Sequence, residues 1–254
     1  MEVQNLSFSY DGVNSVLDHL NLKIQKGKIT VLMGANGCGK STLFNLMTKN
    51  LYPDDGIITL AGTDIDEMGA KEFAQSVAIV HQNNTAPPDL TVEKLVAYGR
   101  TPYLKMFQSV GSQNDEDAID WALNVTNTQK IRKKPVAELS GGQRQRVWIA
   151  MALAMETDIL FLDEPTTYLD IRYQIEILKL IRKLNQTYDM TIVMVLHDIN
   201  QAMEYGDVFV GMSGGKIVVE GDPKEAVDSE ILYELYGIRL PVAQLDGKKF
   251  VVTI

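Results

Sequence analysis

The octapeptide Gly34-Ala35-Asn36-Gly37-Cys38-Gly39-Lys40-Ser41 lies between two stretches that read as different kinds of structure. Before it, Ile29-Thr30-Val31-Leu32-Met33 is a short apolar run of the sort a buried strand presents. After it, Leu43, Leu46, Met47 and Leu51 recur at helical spacing, which predicts a helix over residues 42–51. A strand that turns through glycines into a helix leaves the first backbone N–H groups without intrahelical partners. Together with the positive end of the helix dipole, these groups form a cradle for phosphate oxygens. Gly34, Gly37 and Gly39 allow the backbone to come close, while Asn36, Cys38 and Thr42 belong to the same cradle. Lys40 is placed to reach the β- and γ-phosphates, and the Ser41 hydroxyl to hold Mg²⁺. The pattern and its placement imply a nucleoside-triphosphate site.

A chain of 254 residues suits one α/β domain or a domain with a subdomain, and it buries enough surface to need no disulfide. Its single cysteine, Cys38, cannot form an internal bridge; inside the phosphate cradle it reads as a small tolerated side chain rather than a redox sensor. The net charge of −9 argues against a nucleic-acid binder, which presents a basic face. No apolar run approaches the roughly 18–20 residues that span a bilayer. Met1-Glu2-Val3-Gln4 has neither the basic nor the apolar region of a signal peptide. The expectation is a chain in the cytoplasm whose membrane connection comes through a partner.

Val3, Leu6, Phe8 and Tyr10 suggest a half-exposed strand, followed by a turn at Asp11-Gly12 and further strand over residues 16–24. Tyr10 is either a plain strand aromatic or a platform on which adenine stacks. Strands are also predicted over residues 57–60 and 78–82, the second ending in Gln82, and ligand residues collect at the carboxyl ends of strands in open α/β sheets. Residues 83–134 change texture and read as an inserted helical region without a catalytic cluster. Its second helix begins at Asp115-Glu116-Asp117, read as a solvated first turn. Leu139-Ser140-Gly141-Gly142-Gln143 opens another helix: Ser140 can cap it, and the glycines leave N–H groups open to an anion.

Ile159-Leu160-Phe161-Leu162 is a buried strand ending in Asp163-Glu164-Pro165. Adjacent carboxylates after a wholly apolar strand are costly unless a cation or a water uses them. Asp163 is therefore assigned to Mg²⁺ and Glu164 to activation of water. Asp170 caps a helix to about residue 188, with Ile171, Ile175, Leu178 and Ile181 expected to face the core. Residues 191–196 form another strand ending in His197, read as a γ-phosphate contact. Ser213-Gly214-Gly215 joins a hairpin, Asp222-Pro223 opens a helix, and the tail near Phe250 reads as one small packing strand.

These residues together resemble the ATP-binding subunit of ATP-binding-cassette transporters over nearly the whole chain. The ordered set is an aromatic (Tyr10), the phosphate loop, a glutamine (Gln82), the signature Leu139-Ser140-Gly141-Gly142-Gln143, Asp163-Glu164, Asp170 and a switch histidine (His197). The resemblance implies an α/β fold, a P-loop NTPase (RecA-like) mixed-sheet core with an N-terminal antiparallel β-subdomain and an inserted helical subdomain. Core and β-subdomain would span about 1–83 and 155–254 of a single nucleotide-binding domain, and the helical subdomain about 84–154. ATP and Mg²⁺ are the implied cofactors, with Ser41, Gln82 and Asp163 on the metal and Lys40, Gln82, Glu164 and His197 in the chemistry. Two copies would pair head to tail, so that Ser140, Gly141, Gly142, Gln143 and Asp170 of one complete the ATP site of the other. Two polytopic permease subunits would hold the pair at the cytoplasmic face of the membrane, fed by an extracytoplasmic binding protein.

A narrower likeness rests on Asp163-Glu164-Pro165-Thr166-Thr167-Tyr168-Leu169-Asp170, on Ala97-Tyr98-Gly99-Arg100 with Pro102-Tyr103, and on Leu196-His197-Asp198-Ile199-Asn200-Gln201-Ala202. It is similar to importers of iron–siderophore complexes, haem and cobalamin. Alternative readings are a cassette ATPase for another cargo, a soluble one for repair, translation or cluster assembly, and a P-loop kinase. Repair members carry a long coiled coil and translation members fuse two cassettes; neither feature is present, and a kinase would lack the signature.

Overall fold

The computed structural model describes residues 1–104 and 111–253. The chain divides into two compact units, Met1–Met68 with Thr191–Ile254, and Gly69–Met190.

In the first unit an antiparallel sheet takes the strand order Ser15–Lys23, Glu2–Ser9, Asp55–Leu60, Thr63–Asp64. Strict alternation would send Leu6 to the face opposite Val3, yet both are buried. The register shifts between them, and Asn5 takes a left-handed φ of 52°. The facing strand repeats the device: Leu17 and Leu20 are both buried, with His19 at φ 48° between them. Paired three-residue steps of this kind keep the two strands in contact while bending them.

Ile29–Met33 is hydrogen-bonded in parallel to Thr191–Val195 on one side and Val208–Ser213 on the other. Every residue of Ile29–Met33 and Thr191–Val195 is buried, which explains why these strands read as unbroken apolar runs. Val208–Ser213 returns through Gly214-Gly215 into Lys216–Gly221, as the hairpin reading expects. The helix after the phosphate loop is shorter than its periodicity suggests, Lys40–Met47 rather than 42–51, because Lys49 turns left-handed at φ 60°. The tail holds more than the single strand expected: a helix, Ser229–Tyr236, and a hairpin of Val242–Leu245 with Lys248–Val251.

In the second unit Val77–Val80 and Ile159–Leu162 pair in parallel, Val77 opposite Ile159 and Val80 opposite Leu162. This register fixes Gln82 and Asp163-Glu164 at the same end of the two strands. The helices among the described residues are Ala70–Ala74, Val92–Ala97, Gln113–Val125, Gly141–Leu153 and Ile171–Tyr188, with 3₁₀ turns at Tyr98–Tyr103, Gln129–Ile131 and Val136–Glu138.

Two expectations fail here. Ile171 is 75% exposed and Ile175 39%, whereas Leu178 and Ile181 are buried; helical spacing selects a face but does not supply a cover for its first turn. The acidic start is solvated at Glu116 and Asp117, as expected, but not at Asp115. The helix begins at Gln113 on a Ser112 cap, and Asp115 is buried against Arg100 at 2.9 Å. Arg100 also donates to Ala154 O and Glu156, and the neighbouring Tyr103 hydroxyl donates to Met155 O. The segment Tyr98–Tyr103 thus seals the carboxyl end of Gly141–Leu153, with a cation where the helix dipole favours one.

The Ser112 hydroxyl, together with Arg100, holds the Asp115 carboxyl down to about 2, against an ordinary value of 3.8. A carboxylate with a depressed folded-state pKa stabilises above 3.8, and that contribution is lost as pH falls towards 2. Asp115→Asn is therefore expected to lower stability near neutral pH by about 2 kcal/mol. In acid denaturation followed by circular dichroism, its deficit against the wild type should shrink below pH 4. A deficit constant down to pH 2 would refute the assignment.

Candidate functional site

In the first unit the phosphate loop is held open by its own backbone. Gly34 has φ 142°, and a Cβ there would stand 2.2 Å from Met212 O. Gly39 caps the helix Lys40–Met47 at φ 105°, and a Cβ there would stand 2.7 Å from Leu17 Cδ2. Neither position accepts a side chain without moving the loop. Asn36, Gly37 and Ser41 are exposed, while Cys38 and Lys40 are buried. Lys40 folds back on the loop: its Nζ donates to Gly34 O at 2.8 Å and Ala35 O at 2.9 Å, and lies 3.8 Å from Cys38 Sγ. The ammonium is thus kept at the mouth of the cradle, its charge met by carbonyl dipoles.

Tyr10 is 66% exposed, stands edge-on to Phe8 at 4.9 Å and shares a hydrogen bond with the Thr42 hydroxyl at 3.2 Å. That bond draws Tyr10 and Thr42 together at the start of the helix after the loop, with the ring open to solvent. His197 follows the strand Thr191–Val195 and is exposed, and Asp198 caps the next helix through Gln201 N.

In the second unit Glu164 adopts a left-handed φ of 49°, a conformation that costs a non-glycine residue on the order of 1 kcal/mol and that collects at functional sites. Its Oε2 accepts from Gln82 Nε2 at 2.6 Å and from Thr167 Oγ1 at 3.0 Å. The strand pairing sets up this contact, since Asp163 N donates to Val80 O at 2.9 Å. Thr167 was not foreseen in the sequence; only its place three residues after Glu164 hinted at a local turn.

Ser140 caps Gly141–Leu153 as expected, and the cap is reciprocal: Gln143 N donates to Ser140 Oγ, and Ser140 N to Gln143 Oε1 at 3.2 Å. In helix geometry this leaves the N–H groups of Gly141 and Gly142 without intrahelical acceptors. Gly142 has a packing reason as well, since a Cβ there would stand 2.3 Å from the Tyr173 ring. Asp170 caps Ile171–Tyr188 through Tyr173 N at 3.0 Å. Two adjoining cavities of about 230 and 240 Å³ share Asn84, Thr85, Arg144 and Trp148; Gln82 and Thr167 line the first.

No group of three or more His, Cys, Asp or Glu side chains converges among the described residues, so no metal cage is built from them. Ser41 in the first unit, and Gln82 and Asp163 in the second, each carry a side-chain oxygen, the donor type that Mg²⁺ takes while keeping most of its waters.

The family model described as ABC transporter matches residues 17–167. The chain belongs to the ABC transporter family. The iron(3+)-hydroxamate import ATP-binding protein FhuC of Bacillus subtilis (strain 168) is 43% identical over 240 residues, 94% of this chain and 88% of that protein. The ferric enterobactin transport ATP-binding protein FepC of Escherichia coli (strain K12) is 42% identical over 236 residues, 93% of this chain and 86% of that one. Among solved structures, a transporter provisionally classed as metal-chelate type, in an inward-facing conformation, is similar with a TM-score of 0.85 at 30% identity. That likeness covers 98% of this chain and 94% of the other. The dimeric cassette MJ0796, in a post-hydrolysis state with ADP and Pi, has a TM-score of 0.74 at 27% identity, over 87% of this chain and 98% of that one. As a cassette of this family the chain binds ATP and hydrolyses it, as the motifs of its sequence imply.

Proposed function

We propose that this ABC ATPase powers import of a ferric chelate of the siderophore type. It works as a homodimer beneath two polytopic permease subunits that receive cargo from an extracytoplasmic binding protein. In this reading the permeases hold the pair at the cytoplasmic face; no helix among the described residues is long and apolar enough to cross a membrane. Relatives named for iron(3+)-hydroxamate and ferric enterobactin transport support the choice of cargo.

The observation that carries the chemical reading is Glu164: a strained backbone after a buried strand, with its carboxylate oriented by Gln82 and Thr167. In this reading Glu164 takes the proton of the attacking water. Lys40 and the N–H groups of residues 34–42 bind the phosphates, Tyr10 stacks adenine, and His197 contacts the γ-phosphate. Ser41, Asp163 and Gln82 hold Mg²⁺, which when bound neutralises charge building on the phosphate oxygens. Ser140, Gly141, Gly142, Gln143 and Asp170 act on the nucleotide of the other copy. Tyr168, 88% exposed, and Ile171 flank Asp170, and uncovered apolar side chains of that size suit a surface that a second copy covers. The cavities shared by Arg144 and Trp148, beside Gln82, suit a cytoplasmic segment of the permease.

Deleting the gene should abolish uptake of radiolabelled iron supplied as a hydroxamate or catecholate chelate and leave uptake of free ferrous iron intact. Normal chelate uptake in the deletion strain would refute the cargo.

A further inference from the structure

Tyr10 is 66% exposed, so burial does little to hold its ring, yet the chain around it is tightly fastened. Just before it, Ser9 N donates to Asp54 Oδ2 at 2.7 Å. Just after it, the Asp11 carboxylate accepts from Ser9 Oγ, Val13 N, Asn14 N and Asn14 Nδ2 at 2.8–2.9 Å. The ring itself meets two groups. Phe8, which is buried, stands edge-on at 4.9 Å and 89°, and the hydroxyl shares its 3.2 Å hydrogen bond with Thr42 Oγ1. A bond at the tip and a ring at the side restrict both torsions of the side chain. Holding an exposed side chain in one rotamer costs conformational entropy, and here little burial offsets it.

The other end of the bond is not a surface group. Thr42 is 6% exposed, and among the described residues its hydroxyl has no partner besides Tyr10. It lies in the first turn of Lys40–Met47, the helix on which the phosphate loop opens, and in the same compact unit as Tyr10. The bond thus ties an aromatic at the end of the strand Glu2–Ser9 to the cradle for the phosphates. A phenylalanine would offer the same stacking face; what tyrosine adds is the hydroxyl. We propose that Thr42 is a positioning residue for the base: its hydroxyl tethers Tyr10, so that the ring stands ready for adenine before the nucleotide arrives. A ring already ordered spares the ligand the cost of ordering it, and the gain falls on the base rather than on the phosphates. This inference rests on the reading that Tyr10 stacks adenine.

ADP and inorganic pyrophosphate separate the two parts of the ligand, and ADP brings neither hydrolysis nor a γ-phosphate. By calorimetry, Tyr10→Phe and Thr42→Val should each raise the Kd for ADP about two- to tenfold, the range for ordering one side chain at a binding site, and leave that for pyrophosphate unchanged. The double variant should lose no more than either single one, because one bond is lost in all three. Thr42→Ser, which keeps the hydroxyl, should restore the wild-type value. Unchanged ADP affinity in Tyr10→Phe overturns the proposal. So does an equal loss for ADP and pyrophosphate, which would give the hydroxyls to the phosphates, and so does an additive double variant. Tyr10→Ala separates the two levels. If it keeps the wild-type ratio of ADP to pyrophosphate affinity, the adenine platform has failed. If it lowers that ratio while Tyr10→Phe does not, only the tether falls.

Discussion

Glu164→Gln should bind ATP within a few-fold of the wild type and hydrolyse it 10²–10⁴-fold more slowly, on the order of what a positioned general base contributes. The substitution is nearly isosteric, and its amide oxygen can still accept from Gln82 Nε2 or Thr167 Oγ1. The left-handed φ of 49° costs glutamine about what it costs glutamate, so the fold has no reason to change. The proton acceptor is what disappears. In the proposed reading closure of the pair comes before hydrolysis and hydrolysis undoes it, so blocking the chemical step should trap the closed form. Size-exclusion chromatography with ATP should then show a dimer that the wild type holds only briefly. A Glu164→Gln variant that turns over at the wild-type rate would remove Glu164 from the chemistry.

Most of the parallel core was legible because Ile29–Met33, Thr191–Val195 and Ile159–Leu162 are covered on both faces, and a strand covered on both faces writes itself as an apolar run. Helix starts were legible for a local reason: Ser140 and Asp170 each bond to a backbone N–H three residues on, so cap and helix lie in one short window. What stayed hidden depends on partners distant in sequence. Asp115 looks like any acidic first turn until Arg100 comes to meet it. Ile171 and Ile175 have the spacing of core residues, and their exposure records what does not cover them. The tail hairpin escaped because Val242–Leu245 has one exposed face after another and no apolar rhythm to betray a strand. At the site, the motif residues were visible one by one, whereas the bonds of Gln82 and Thr167 to Glu164 exist only in the folded chain.

Ser140→Arg should fold, bind ATP through its own phosphate loop, and fail to form the ATP-dependent pair, with hydrolysis down at least about 100-fold. Ser140 is exposed, so the longer side chain meets solvent rather than core. The lost cap costs the helix Gly141–Leu153 about 1 kcal/mol, which Ser140→Ala would cost as well. In the proposed reading Ser140 acts on the nucleotide of the other copy, so nucleotide affinity of the single chain should not fall. What arginine destroys is close approach. Gly141 and Gly142 leave backbone N–H groups bare, and a guanidinium beside them prevents a second copy from coming within hydrogen-bonding distance. Charge alone argues the other way, since a cation near a γ-phosphate attracts it. Ser140→Ala, which removes the cap but not the space, should still pair. If Ser140→Arg pairs on ATP as the wild type does, the helix end at Ser140 faces no nucleotide and the shared site does not exist.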